Sequence, residues 1–374
     1  MDLIWAVYPG YSDEIFTKDE LLNSVREHMD LAVRVIQRGS SPTPEELDAR
    51  RGLGEQRAKQ GVPLESVIQA YRSNERVIFL DLLAAMRDQP IREMNQYTEL
   101  ILTMFDLLTQ QIINSYRDAS AAIESLRERA ESELMQAFAS GVVPVAASID
   151  RWVNVLGLDP SANYAGIAIL GDPGAHGHKS QHLRHRLHRA LQPYLLTPPL
   201  YGDVPDGTLV LVSLSPGAPL TADLLQGKLF DASDASTQVV GVGETRSGIT
   251  LSVSSCDHAL TAARAAMVRG PRTILGYSDA LLEAFLMSRP TIADQLVDDF
   301  LGPLHGQPHL VETLESLYLN GLSQATVARE LFVHVNTVTH RIRRTRELSG
   351  RDPLNLEDGA QFMLALRWLK LRDT

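Results

Sequence analysis

The run Ser323-Gln324-Ala325-Thr326-Val327-Ala328-Arg329-Glu330-Leu331-Phe332-Val333-His334-Val335-Asn336-Thr337-Val338-Thr339-His340-Arg341-Ile342-Arg343-Arg344 holds two short helical patterns with almost nothing between them. Ser323 has the side chain of a helix cap. Val327, Ala328 and Leu331 follow at helical spacing and are expected to face inward. Phe332-Val333-His334 is the connection. A second helix is expected from about Asn336 to Leu348, with Asn336 as its cap. At about 100° per residue, Val335, Val338, Ile342 and Thr345 fall on one side, the expected core side. Asn336, His340, Arg343, Arg344 and Glu347 fall opposite, with Thr337 and Arg341 on the flanks. Two short helices joined this closely form a helix-turn-helix, whose second helix can enter a major groove. The amide, imidazole and guanidinium groups on the outer face are donors of the kind that read base edges and hold phosphates.

Charge supports that reading. Between residues 329 and 351 six arginines stand against two glutamates, a local balance of +4. The whole chain carries −11, and the part before residue 310 carries −12. An acidic protein repels nucleic acid unless positive charge is focused where contact occurs. The bland alternative is a small helical bundle with one solvated arginine-rich face. The short turn, the polar outer face and the charge focus together favour the groove-binding reading. Upstream, Leu310, Leu314, Leu317 and Tyr318 mark a preceding amphipathic helix, stopped at Asn320-Gly321-Leu322.

The middle of the chain alternates. Ala165–Leu170, Thr208–Val212 and Val239–Val242 are short apolar runs bounded by turn residues. Helical stretches fall near 180–192, 220–230 and 256–269. Strands alternating with helices predict a layered α/β or α+β domain. His176, His178, His182, His185 and His188 share a helical spacing that could bind a metal. No acidic or thiol ligand accompanies them, and Lys179, Arg184, Arg186 and Arg189 are interleaved, so a solvated basic face is expected. Phosphate or DNA contact by that face is the minority reading. Gly241-Val242-Gly243-Glu244 lacks the spacing of a phosphate-binding loop and reads as a turn after a strand. In Cys256-Asp257-His258, neighbours on a helix point apart, so no nucleophile–base pair forms. Cys256 reads as a small apolar residue or an inert surface thiol.

The N-terminal third reads as helices. Thr17-Lys18-Asp19-Glu20 has the spacing of a capping box. Leu21, Leu22, Val25, Met29, Ala32, Val33 and Ile36 follow as one predicted inner face, ending at Gly39. Thr43-Pro44-Glu45-Glu46 starts another helix, with proline at its first position. Gly61-Val62-Pro63 breaks the chain before a stripe from Leu64, Val67, Ile68 and Tyr71. A further stripe runs through Ile101, Met104, Phe105 and Leu108. Tyr116, Ile123, Ala130 and Ala137 then lie seven apart, with Ala119 and Leu126 between, and Glu133 breaks the second series. This is the pattern of a short two-stranded coiled coil, a dimeric linker helix. A surface helix packed on its own domain is the alternative.

Composition excludes several classes. At 374 residues, 44% hydrophobic and 22% charged, the chain is ordinary globular material of two to four domains. Its single cysteine excludes an internal disulfide framework and a cysteine-rich zinc site. Met1-Asp2-Leu3-Ile4-Trp5-Ala6-Val7 lacks a basic signal-peptide region, and no apolar run reaches the roughly 18 residues of a membrane helix. A cytoplasmic, multi-module protein that contacts no membrane is expected.

His334-Val335-Asn336-Thr337-Val338-Thr339-His340-Arg341-Ile342-Arg343-Arg344 strongly resembles the C-terminal domain of PucR/CdaR-type bacterial transcriptional regulators, with a pattern close to V-H-x-N-T-V-x-Y-R-L-R-R. The likeness extends through Val311–Leu314, Ala328–Leu331 and Glu347–Asp352. Residues 150–290 are similar to a GGDEF-like domain at Val240–Gly243 and Ala259–Arg264. No Gly-Gly-Asp-Glu-Phe occurs, and the hairpin that would carry it is expected near Tyr201–Gly207, so no cyclase or other enzyme activity is expected. Gly52-Leu53-Gly54, Gln60–Leu64 and Ala70-Tyr71-Arg72 resemble the helical RsbRD-type sensor domain. Val335 and Thr339 stand where the family is often basic, and His340 where Tyr is frequent, which bears on the base sequence read.

The resemblance implies a multidomain α plus α/β protein. It would comprise an N-terminal helical bundle (1–110), a linker or dimerisation helix (111–147), a central ferredoxin-like, GGDEF-like α/β domain (148–290) and a C-terminal all-α helix-turn-helix domain (291–374). The expected function is a sequence-specific, signal-responsive regulator acting as a homodimer, or a higher oligomer, on double-stranded operator DNA. Thr339, His340 and Arg343 are the expected base readers. Arg341, Arg344 and Arg346 would hold the backbone, with Asn336 and Thr337 close to a phosphate and His334 beside them. No catalytic or metal-binding residue and no cofactor is expected. A small-molecule effector is allowed, but no residue identifies it. A nucleotide-binding sensor and a protein-binding adaptor are the competing classes.

Overall fold

The computed structural model describes residues 18–86, 90–171, 178–218, 220–230 and 237–372, with backbone alone at 178–181. Thr17 of the expected capping box, the Met1–Val7 segment, His176 and the side chains of His178 and Lys179 lie outside the described residues. The chain divides into two compact units, residues 1–129 and 130–374.

Among the described residues the first unit is all helical: α1 (Lys18–Arg38), α2 (Pro44–Asp48), α3 (Arg51–Lys59), α4 (Leu64–Ala85) and the first part of α5 (Ile91–Ala139). Local chemistry sets the boundaries. Gly39 ends α1 at φ +68°. Thr43 and Glu46 form a reciprocal capping box at α2, with Pro44 at the first helical position. Gly61, at φ +72°, and Pro63 separate α3 from α4. The core is built by Leu31, Ala32, Val35, Ile78, Ile101, Met104, Phe105 and Leu108, with a second cluster of Leu21, Val62, Val67, Ala70, Tyr71 and Ile112. The predicted inner face of α1 is rotated. Met29 and Val33 are exposed, while His28, Leu31 and Val35 are buried. The imidazole of His28 takes an inner position because it hydrogen-bonds the Tyr71 hydroxyl at 2.9 Å.

α5 contains neither glycine nor proline and runs unbroken across the boundary between the units. Its last turns bury Ala130, Leu134, Met135 and Phe138 in the core of the second unit. From Arg117 to Arg129 every side chain is exposed or half-exposed, Ile123 and Leu126 included.

The second unit begins with that end of α5 and α6 (Ala146–Leu156), followed by β1 (Asn163–Leu170), α7 (His178–Leu191), β2 (Leu200–Val204), β3 (Gly207–Leu214), α8 (Ala222–Leu229), β4 (Val239–Val242), β5 (Arg246–Ser247), α9 (Ser252–Arg269) and β6 (Ile274–Gly276). The sheet order is β2-β3-β1-β4-β6, with β5 beside β1. β1 pairs antiparallel with β3 and β4, Ile167 opposing both Val210 and Val242. β4 and β6 are parallel. The order β1-α7-β2-β3-α8-β4 is the split β-α-β-β-α-β arrangement of a ferredoxin-like fold. Side chains alternate across β1. Ala165, Ile167 and Ile169 pack with Leu183 and Leu187 of α7 and Leu225 and Leu229 of α8; Tyr164, Ala168 and Leu170 pack with α6 and α9.

Gly241 is inside β4 rather than in a turn, and its role is close packing. A Cβ there would stand 2.0 Å from the Ala259 carbonyl oxygen, and one at Gly243 would stand 2.0 Å from that of Ser255. Cys256, on α9, is fully buried rather than at the surface, and burial pushes its thiol up to about 12. β2 and β3 form the expected hairpin, joined by Pro205-Asp206. His182, His185 and His188 lie on the exposed side of α7. No cluster of three metal-ligating side chains lies among the described residues.

The rest of this unit is helical: α10 (Leu281–Ser288), α11 (Pro290–Phe300), α12 (Pro308–Leu319), α13 (Gln324–Glu330), α14 (Val335–Ser349) and α15 (Leu356–Arg372). Leu286, Val297, Phe300, Leu310, Leu314, Phe362 and Leu366 form its core, with Phe300 and Phe362 edge to face. No helix among the described residues is long and apolar enough to cross a membrane.

Candidate nucleic-acid interface

Ser323 caps α13 by accepting a hydrogen bond from the Thr326 amide. Val327 and Ala328 of α13, Leu317 of α12, and Val338 and Ile342 of α14 make a small core under the two short helices, with Leu331 packed against it. Glu330 ties α13 back to α12 by accepting from the Ser316 hydroxyl and the Asn320 side-chain amide.

The turn between α13 and α14 is built without glycine. The Val333 amide donates to the Ala328 carbonyl at 2.9 Å and the Phe332 amide to that of Arg329 at 3.4 Å. These are the two bonds of a Schellman motif. The left-handed position of that motif usually holds glycine; here it holds Phe332, at φ +55°. Phe332 is 95% exposed, so its ring gains no packing within the protein.

α14 begins one residue earlier than the sequence suggested. Its cap is His334, whose Nδ1 accepts from the Asn336 amide at 3.2 Å; Asn336 is inside the first turn and is not the cap. The early start also changes Val335. Placed in the first turn beside the connection, it is 41% exposed instead of joining the core. Val338, Ile342 and Thr345 are buried as expected, and the Thr345 hydroxyl donates to the Arg341 carbonyl. Gly350, at φ +70°, closes the helix.

The structure brings Asn336, Thr337, Thr339, His340, Arg343, Arg344 and Arg346 to the exposed side of α14. Arg343 is 79% exposed, Arg346 67% and Arg344 49%. Arg343 and Arg344 both pair with Glu347, at 3.2 and 3.1 Å, and Arg346 pairs with Asp352 at 3.4 Å. The Arg344 hydrogen bond and both arginine charges lower the Glu347 pKa. These pairs are solvated and weak, so the guanidinium groups can exchange them for phosphate oxygens. Arg341 is placed differently. It is half-buried and donates to the Thr313 hydroxyl at 3.0 Å and the His309 carbonyl at 3.4 Å, bracing α14 on α12. The Thr339 hydroxyl bonds Gln324 of α13 at 2.8 Å.

Comparison with known proteins divides the chain in the same way. The profile of the RsbT co-antagonist protein RsbRD N-terminal domain matches residues 1–131. The GGDEF-like domain matches residues 140–265 and the PucR C-terminal helix-turn-helix domain residues 310–368. Uncharacterized protein Rv2242 of Mycobacterium tuberculosis is 34% identical over 160 residues, 42% of this chain and 37% of that protein. Uncharacterized protein Mb2266 of Mycobacterium bovis matches equally. The matched segment thus spans well under half the length of these curated relatives. A regulator of polyketide synthase expression from Bifidobacterium adolescentis is 19% identical over 66% of this chain and 99% of its own, with a TM-score of 0.35. An RsbRD-type helical domain, a GGDEF-like domain and a PucR-type helix-turn-helix domain follow one another along the chain, the domain architecture of PucR/CdaR-type transcriptional regulators.

Proposed function

We propose that the protein is a cytoplasmic, homodimeric, sequence-specific DNA-binding regulator that answers a signal received by its helical N-terminal domain. One observation carries the reading. A short helix-turn-helix holds the polar side of α14 open to solvent, with Arg343, Arg344 and Arg346 exposed on an otherwise acidic chain. Thr339, His340 and Arg343 then read base edges, Arg344 and Arg346 hold the backbone, and Asn336 and Thr337 lie close to a phosphate near the His334 cap. Arg341 acts from inside, holding the recognition helix at its angle. Two copies of the chain would place two recognition helices about one DNA turn apart. A signal can act only by binding two arrangements of these helices unequally.

Replacing Arg343 and Arg344 by Ala tests the assignment. Operator affinity should fall, and the slope of log affinity against log salt should lessen by about one unit for the lost Arg344 phosphate contact. Unchanged affinity and slope would remove α14 from the interface.

A further inference from the structure

The first turns of α14 present an apolar edge beside their polar groups. Val335, the first residue of the helix, is 41% exposed and has no donor or acceptor on its side chain. Thr339 lies one turn later, about 40° around the axis, and is also exposed. Its hydroxyl is the donor to Gln324 Oε1 at 2.8 Å and lies 3.2 Å from the Val335 carbonyl oxygen. That hydrogen is engaged inside the protein, so the hydroxyl has no donor left to offer a partner, and the methyl group is the apolar part of this exposed side chain. Phe332, 95% exposed in the turn just before, extends the same apolar character.

In a helix-turn-helix the N-terminal residues of the second helix are those that contact base edges. An aliphatic group there can neither hydrogen-bond a base nor hold a phosphate. The one major-groove feature it complements is the C5-methyl of thymine. We propose that Val335 and the Thr339 methyl read thymine methyl groups, so that the operator half-site carries thymine beneath the start of α14, next to the bases met by His340 and Arg343. This inference rests on the DNA-binding reading and names the base class that it selects.

The experiment uses the full chain. Duplexes selected from a random pool by the wild-type protein are resynthesised with each thymine replaced in turn by deoxyuridine, which removes only the methyl group. At one thymine or more per half-site the wild type should bind about fourfold more weakly, the worth of one buried methyl-sized group. Val335→Ser and Thr339→Ser, both at exposed positions, should each reduce that discrimination to about twofold or less. Selected duplexes indifferent to every methyl deletion would overturn the inference while leaving DNA binding intact. Discrimination that persists unchanged in both variants would likewise overturn it. Recovery of no enriched duplex would remove DNA binding itself, and this inference with it.

Discussion

His28 shows how one side chain can tie a fold to pH. It is 2% exposed, its Nε2 lies 2.9 Å from the Tyr71 hydroxyl, and a neutral ring accepts that hydroxyl's hydrogen. Burial, reinforced by the nearby Arg50 charge, lowers its pKa from 6.5 to about 4. The folded state therefore resists a proton that the unfolded chain accepts. The contribution is complete above the unfolded value and is lost as pH falls from about 6.5 toward 4. Between pH 7 and pH 5 the loss from this one group should be about 2 kcal/mol. Urea unfolding of the wild type and of His28→Gln at both pH values measures it. The variant should be less stable at pH 7 yet change less with acid, and an equal acid loss in both proteins would assign the effect elsewhere. The same residue marks a limit of pattern reading. Hydropathy put Met29 and Val33 inside because they are apolar. A hydrogen-bonded imidazole took an inner position instead, and no single-residue scale registers a partner 43 positions away.

Elements with local causes were legible, and those with distant causes were not. The capping box at Thr43, the breaks at Gly39 and Gly61, the cap and core of α13, and the buried positions Val338, Ile342 and Thr345 of α14 follow from neighbours in sequence. β6 is three residues long and exists by parallel pairing with β4, across the whole of α9, so it left no periodic signal. Val335 was placed inside because a projection treats a helix as endless, whereas the first turn has no preceding turn and no neighbour above it. α5 read as two segments although nothing breaks it. Its middle shows why the two readings of that stretch differ: Tyr116 is tied to the first unit through the Val62 carbonyl and Ala130 is buried in the second, while between them Ile123 and Leu126 are exposed and Ala119 half-exposed. Those three positions keep the 3-4 spacing of a coiled-coil seam. If two copies pair along this seam, Leu126→Asp should shift the chain from dimer to monomer at micromolar concentration while leaving its helical content unchanged. Light scattering on a sizing column reads the mass. A monomeric wild type, or a dimeric Leu126→Asp, would place the dimer contact elsewhere or remove it.

At the scale of the second unit, an ion-pair joint links the sheet domain to the helix-turn-helix domain. Glu283 of α10 is 3% exposed. Its Oε1 meets Arg367 of α15 at 2.7 Å and Arg269 of α9 at 3.6 Å, while Oε2 is buried and accepts no hydrogen bond. The joint is asymmetric. Both arginines are more than a third exposed and can be rehydrated; the carboxylate cannot. Removing an arginine should therefore do more harm than removing the acid, because it strands a buried charge. Arg367→Ala is expected to destabilise the second unit by roughly 2–3 kcal/mol, toward the lower end for a broken buried pair because Arg269 remains. Glu283→Leu alone should change stability by about 1 kcal/mol or less, since an apolar side chain of similar size suits the buried position. In the double variant most of the Arg367→Ala loss should disappear, because no carboxylate is left to strand. Denaturant unfolding of all four proteins closes the cycle. Additive losses in the double variant would mean that Arg367 acts through packing alone and that the charge of Glu283 does not hold the sheet domain to the helix-turn-helix.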